Sequence, residues 1–217
     1  MKIKEIILFT SDILRQKQFY QDVLDFELVF NSETFISFNT GKSILSFQYK
    51  SETKPSHIAF NIPTNKLIEA LEWLKKRVEI LPYGEQFISN FESWNAKAIY
   101  FYDSDNNILE FIARENLGIT SDGAFSSKSI ISLNEMAIAT SDVKNVYETI
   151  NSIRVIPVFD GNLERFCAVG NDEGLFIIIN KDLKKWHPTY EDVYISDFII
   201  KGDYNFSYIN GEIKEFT

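Results

Sequence analysis

The sequence predicts an α+β fold made of tandem βαβββ units, with helices stacked on one side of a mostly antiparallel sheet. Three observations predict it. The segment EIILFTSD (Glu5 to Asp12) recurs as EMAIATSD (Glu135 to Asp142), with Glu, Ile, Thr, Ser and Asp in register. A helix-sized apolar stripe follows each copy. Three short strand-like segments separated by turn residues follow each stripe.

In the first unit the apolar stretch ends at Ser11-Asp12, whose oxygens can accept from the free N–H groups of a first helical turn. Ile13, Lys17, Tyr20 and Leu24 then share one helical side, with Phe19 and Val23 beside them, and ELVF, TFISF and SILSFQY read as strands. In the last copy Val143, Val146, Tyr147 and Ile150 fall at helical spacing, before RVIPVF, RFCAV and GLFIII. A third unit lies between them at lower identity. SHIAFNIP is its first strand, Thr64 or Asn65 its cap, and Leu67, Leu71, Leu74 and Val78 its helical face. VEILPY, KAIYFYD and NILEFIA supply its strands, with FISNFESWN as a loop or strand extension. The units fall at about 3–50, 55–114 and 133–181, divided by a Gly- and Ser-rich linker at 115–132. Beyond 181, YISDFIIK and NFSYIN are strand-like with no helical pattern, too short for a fourth full unit.

Composition narrows the classes. Hydrophobic residues make up 45% and charged residues 24% of 217, which excludes a disordered or low-complexity chain. Apolar runs such as Ile6 to Phe9 are far shorter than the ~18–20 residues of a bilayer span, so no membrane partner and a cytoplasmic location are expected. A net charge of −9 offers no basic face for nucleic acid. The one dense basic run, Lys75 to Arg77, closes a helix, where cations favour the negative end of the dipole. Cys167 is the only cysteine, set in an apolar strand as a buried, inert thiol. Asp103, Asp105 and Asn107 imitate a calcium loop, but Ile108 replaces the required glycine, so a hairpin turn is expected. Phosphate-binding glycine loops and a nucleophile elbow are absent from the sequence.

SDILRQKQFYQDVLDFELV (11–29) and YFYDSDNNILEFI (100–112), in that order and on top of the repeat, resemble the vicinal oxygen chelate superfamily of glyoxalases, bleomycin-resistance proteins and extradiol dioxygenases. The resemblance implies that two units pair into a curved bowl with helices outside, holding a divalent metal on first and last strands. Residues 1–114 would then form one complete bowl, and 133–217 a third unit with a short β-rich tail. Carried over by position, the metal ligands are Glu5, His57 and Glu110, with Glu110 also the catalytic carboxylate. The fourth position falls near Ser46, which would face substrate together with Tyr100 and Tyr102. One imidazole with two carboxylates suits Mn²⁺, Fe²⁺ or Zn²⁺.

Glu5 alternates onto the face of Ile3, Ile7 and Phe9, a costly place for a carboxylate unless it is paired or bound. Glu135 stands at the same place in the third unit, whose last strand offers Ile178 where Glu110 would match. Two functions fit: a metal-dependent enzyme acting on a small oxygenated molecule, and a metal-free pocket that sequesters a cationic drug as bleomycin-resistance proteins do. His187 reads as loop packing or as part of a second pocket. The third unit would close against the C-terminal segment or pair with its copy in a homodimer.

Overall fold

The computed structural model describes residues 1–216. The first unit holds β1 (Ile3–Thr10), α1 (Ile13–Gln18), β2 (Glu27–Asn31), β3 (Phe35–Asn39) and β4 (Ile44–Tyr49). The second holds β5 (His57–Asn61), α2 (Leu67–Lys75), β6 (Ile80–Leu81), β7 (Ser89–Phe91), β8 (Ala96–Tyr102) and β9 (Ile108–Arg114). The third holds β10 (Ser132–Thr140), α3 (Val143–Ile153), β11 (Val158–Asn162), β12 (Phe166–Asn171) and β13 (Gly174–Asn180). A meander of β14 (Phe198–Gly202), β15 (Phe206–Ile209) and β16 (Glu212–Glu215) ends the chain.

The repeated TSD sequence builds the same corner twice. Thr10 Oγ1 accepts from Asp12 N and Asp12 Oδ1 from Arg15 N; Thr140 and Asp142 repeat both bonds with Asp142 N and Asn145 N. α1 runs on as a π-helical turn over Phe19–Val23, with Leu24 N donating to Phe19 O, which leaves Tyr20 buried in the core. α2 lacks a side-chain cap: Thr64 and Asn65 bond the linker at Ile119 and Ser121 instead.

In every unit the first strand lies parallel to the last, giving the sheet orders β1-β4-β3-β2, β5-β9-β8-β6 and β10-β13-β12-β11. The pairing between units differs from the expectation that 1–114 closes on itself. β5 joins β10 antiparallel, so the second and third units form one nine-stranded sheet. β1 takes β14 as its antiparallel neighbour, and the meander completes a seven-stranded sheet. The edge that motivated a second copy of the chain is therefore filled internally. The faces of both sheets that carry the helices share one core, in which Ile6, Leu8, Phe60, Phe111, Met136, Phe176 and Phe198 are buried. Tyr208 donates to Ala139 O across the sheets at 2.6 Å.

The linker is a loop, and it is firmly held. Phe125 packs on Trp73 and Phe111, and its N–H donates to Glu69 Oε2. At Gly41 (φ +77°) an added Cβ would stand 2.3 Å from Ile130 O, so only glycine lets the turn between β3 and β4 meet the residues that lead into β10.

A bulge at the same place in two units corrects the alternation expected for β1. Register shifts between Ile3 and Glu5 and again between Leu133 and Glu135. Ile3 and Leu133 face the shared core, while the glutamates two residues on face the opposite, concave side.

Candidate metal centre

Three strands place three ligand-type side chains together. Ala59 on β5 has Glu110 as its partner on β9 and Glu135 as its partner on β10, and His57 lies two residues earlier on the same face of β5. His57 Nε2 lies 3.4 Å from Glu110 Oε2 and 3.6 Å from Glu135 Oε2, and one ligand atom from each residue lies within 4.8 Å of the others. All three side chains are buried. Spacings near 3.4 Å are the edge of a tetrahedron with ~2.1 Å bonds to a central ion, so the donors fit a divalent metal.

The surroundings fix the donors. His57 Nδ1 donates to Ile108 O at 3.0 Å, which turns Nε2 toward the carboxylates. Arg114, fully buried at the end of β9, donates from Nη2 to Glu135 Oε1 and from Nε to Asn134 Oδ1 at 2.8 Å. Its guanidinium lies over the rings of Trp94 and Phe159, and Nη1 stands 3.7 Å from Asp172. Burial alone would push His57 down, but its bonds to Glu110 and Glu135 override this and raise it to about 9. Burial and then the charge of Glu135 push Glu110 up. Without an ion, then, an imidazolium sits between the carboxylates; a divalent ion replaces that proton with more charge.

Outside this group lies a cavity of about 330 Å³ walled by Phe91, Trp94, Tyr100, Phe166, Ile177, Trp186 and His187. Burial, then Glu110 and Glu135, hold the Tyr100 phenol well above its ordinary value, so it stays protonated. His187 accepts or donates at Nε2 to Ser89 Oγ at 2.8 Å, and burial lowers it to about 4.

The positions read from sequence are distributed differently from the set Glu5, His57 and Glu110. His57, Glu110 and Tyr100 meet here. Glu5 lies on the other sheet, where Ser46 Oγ donates to its Oε1 at 2.7 Å and Lys201 Nζ to its Oε2 at 2.8 Å. Ser46 also bonds Ser37. Glu135 takes the place expected for Glu5, because β10 and not β1 pairs with β5. Tyr102 points into a neighbouring cleft and donates to Glu191. Parallel register aligns Ile177, not Ile178, with Glu110: Ala137 pairs with Ile177 as Ala59 pairs with Glu110. Arg114, Trp94 and Lys184 carried no sequence signal for a site; Glu135 carried one in its place in the repeat, and His187, read as loop packing or as part of a second pocket, lines this cavity. Cys167 is buried, and burial pushes its thiol up, which keeps it unreactive.

The glyoxalase/bleomycin resistance protein/dioxygenase superfamily model matches residues 2–152. The chain belongs to that superfamily. Metallothiol transferase FosB of Staphylococcus haemolyticus is 34% identical to this superfamily member over 116 residues, covering 50% of this chain and 80% of that protein. FosB of Staphylococcus epidermidis matches with the same identity and coverage. A Bacillus subtilis protein provisionally described as a dioxygenase shares the fold, with a TM-score of 0.60 at 15% identity over 82% of this chain. The alignment spans 63% of that longer protein, under two thirds of its length. Among the described residues no helix is long and apolar enough to cross a membrane.

Proposed function

We propose that this superfamily member is a divalent-metal-dependent enzyme acting on a small oxygenated molecule, with the ion held by His57, Glu110 and Glu135. The observation that carries the reading is the convergence of the three ligand atoms within 4.8 Å at the floor of an aromatic cavity. The likeness to metallothiol transferases, at 34% identity, points the same way. Mn²⁺, Fe²⁺ or Zn²⁺ suits one imidazole and two carboxylates. When bound, such an ion supplies a Lewis acid that polarises substrate oxygens and stabilises developing negative charge.

The chain's own residues do the rest. Ile108 O fixes the His57 ring, and Arg114 occupies one oxygen of Glu135, leaving Oε2 toward the ligand position. Tyr100, protonated, can donate to an oxygen in the cavity. Trp186, 8% exposed and 5.6 Å from the His57 ring, excludes water from one side.

Elemental analysis of the dialysed full chain, followed by titration with Mn²⁺, Fe²⁺ and Zn²⁺, tests the reading. Wild type and Glu5→Gln should take up one equivalent, while Glu110→Gln and Glu135→Gln lose it with unchanged circular dichroism. No uptake by wild type would overturn the metal reading and favour the sequestering pocket; loss in Glu5→Gln would overturn the ligand assignment.

A further inference from the structure

Lys184 follows β13 on the strand-to-meander connection that roofs the cavity, and its side chain lines the same space as His57, Glu110 and Glu135. Its ammonium sits 3.7 Å from the centroid of the Phe166 ring, and Trp94 stacks on the far part of that wall, 6.3 Å from Phe166 at 23° between planes. Among the described residues no carboxylate lies within ion-pair reach of Lys184. Asp160, the acid on this wall, already accepts from Trp94 Nε1 at 2.5 Å and from Gly161 N at 2.7 Å. Lys185, one residue on, is satisfied by Asp192. Burial and then the neighbouring Arg165 push the Lys184 ammonium down. Asp160 acts on this ammonium from beyond ion-pair distance and offsets only part of the loss, so a half-buried cation is left incompletely neutralised, a cost relieved when an anion enters.

We propose that Lys184 is an anion subsite of this cavity and that its ligand is a planar organic anion: an aromatic or conjugated carboxylate carrying a neighbouring oxygen. The carboxylate meets Lys184, the flat body lies between Trp94, Phe166 and Trp186, and the neighbouring oxygen points to the three-ligand floor. The last of these statements rests on the metal reading above; the first two do not. A cavity of about 330 Å³ has room for such a ring.

The test uses the full chain, metal-free and Mn²⁺-loaded, with three probes: salicylate, salicylamide as the same ring without charge, and inorganic phosphate as charge without a ring. Binding is read by calorimetry and by tryptophan fluorescence. Wild type should bind salicylate more tightly than either other probe. Lys184→Gln should weaken salicylate about tenfold or more, leave salicylamide unchanged and leave Mn²⁺ uptake unchanged, while Lys185→Gln changes salicylate affinity less than twofold. Equal salicylate affinity in wild type and Lys184→Gln would overturn the subsite. Phosphate binding as tightly as salicylate would overturn the planar class. Electron paramagnetic resonance of Mn²⁺ separates the two readings: lost metal uptake with intact, Lys184-dependent salicylate binding sinks the metal centre alone.

Discussion

Glu110 and Glu135 come from different units and stand on either side of Ala59 in one row across β9, β5 and β10. They are chemically distinct despite this symmetry. Arg114 is bonded to Glu135 and not to Glu110, and burial, followed by the charge of Glu135, pushes Glu110 up. The small side chain of Ala59 leaves the space between them open. Ala59→Leu should fill that space and reduce metal affinity at least tenfold, with the thermal midpoint moved by only a few degrees. Metal titration with a parallel melt checks it, and unchanged affinity would show that the ligand position lies elsewhere.

Arg114 is buried within a cluster of Glu135, Asn134 and Asp172, at the junction of the second and third units. Arg114→Met removes its charge and leaves Glu135 without its partner, which should cost about 3–5 kcal/mol by urea unfolding. Arg114→Lys should recover less than half, because an ammonium cannot satisfy Glu135 and Asn134 from the same fork.

His57 stands at about 9 without an ion, so metal binding near neutrality must expel its proton. Apparent affinity should rise about tenfold per pH unit from pH 6.5 toward 8.5 and level off above about 9. Calorimetry in two buffers of different ionisation enthalpy should count close to one proton released at pH 7. A flat profile over this range would contradict an imidazolium between the two carboxylates.

Asp103 joins the first two units: Tyr20 OH and Gln16 Nε2 donate to it from the first helix, and Asn107 from its own turn. Burial outweighs these donors and raises it from 3.8 to about 6. The folded value lies above the unfolded one, so the protonated acid is the form the fold favours. Its contribution is complete below pH ~4 and is lost as pH rises to about 6, worth up to about 3 kcal/mol. The stability difference between wild type and Asp103→Asn should therefore shrink from pH 4 to 7. A difference independent of pH would mean that the donors hold the carboxylate ionised.

The meander covers the edge of β1. Removing residues 197–217 would strip β14 from β1 and expose the core residues that pack against Phe198, Phe206 and Tyr208. The truncated chain should aggregate or self-associate in light scattering through the bared strand edge. Phe206→Ala, which keeps the edge covered, should instead give a monodisperse protein less stable by about 3–5 kcal/mol.

Much of the architecture was legible in local patterns. Ser-Asp at the end of a strand predicts a capped corner because such oxygens can accept from the free N–H groups of a first helical turn, and Asp12 and Asp142 form that cap twice. The α+β class and the repeat follow from periodicities of two and 3.6 along single segments. His57 and Glu110 share a unit and a parallel strand pair, so their proximity is also encoded within about fifty residues. Face alternation along β1 was legible only after Glu5, because a one-residue bulge at Lys4 reverses it and nothing in IKEII announces the extra residue.

What the sequence alone determined is the succession of elements in each unit, its helix face, and the helix caps at Asp12 and Asp142. Which unit faces which was decided only by tertiary structure. All three first strands present an open edge of similar composition, so no local pattern chooses among them. The choice falls to the chain as a whole. β14 covers the edge of β1 while the anchored linker brings β10 alongside β5, and the shared core between the two sheets holds both pairings at once. That choice sets Glu135 beside His57 and leaves Glu5 to a lysine.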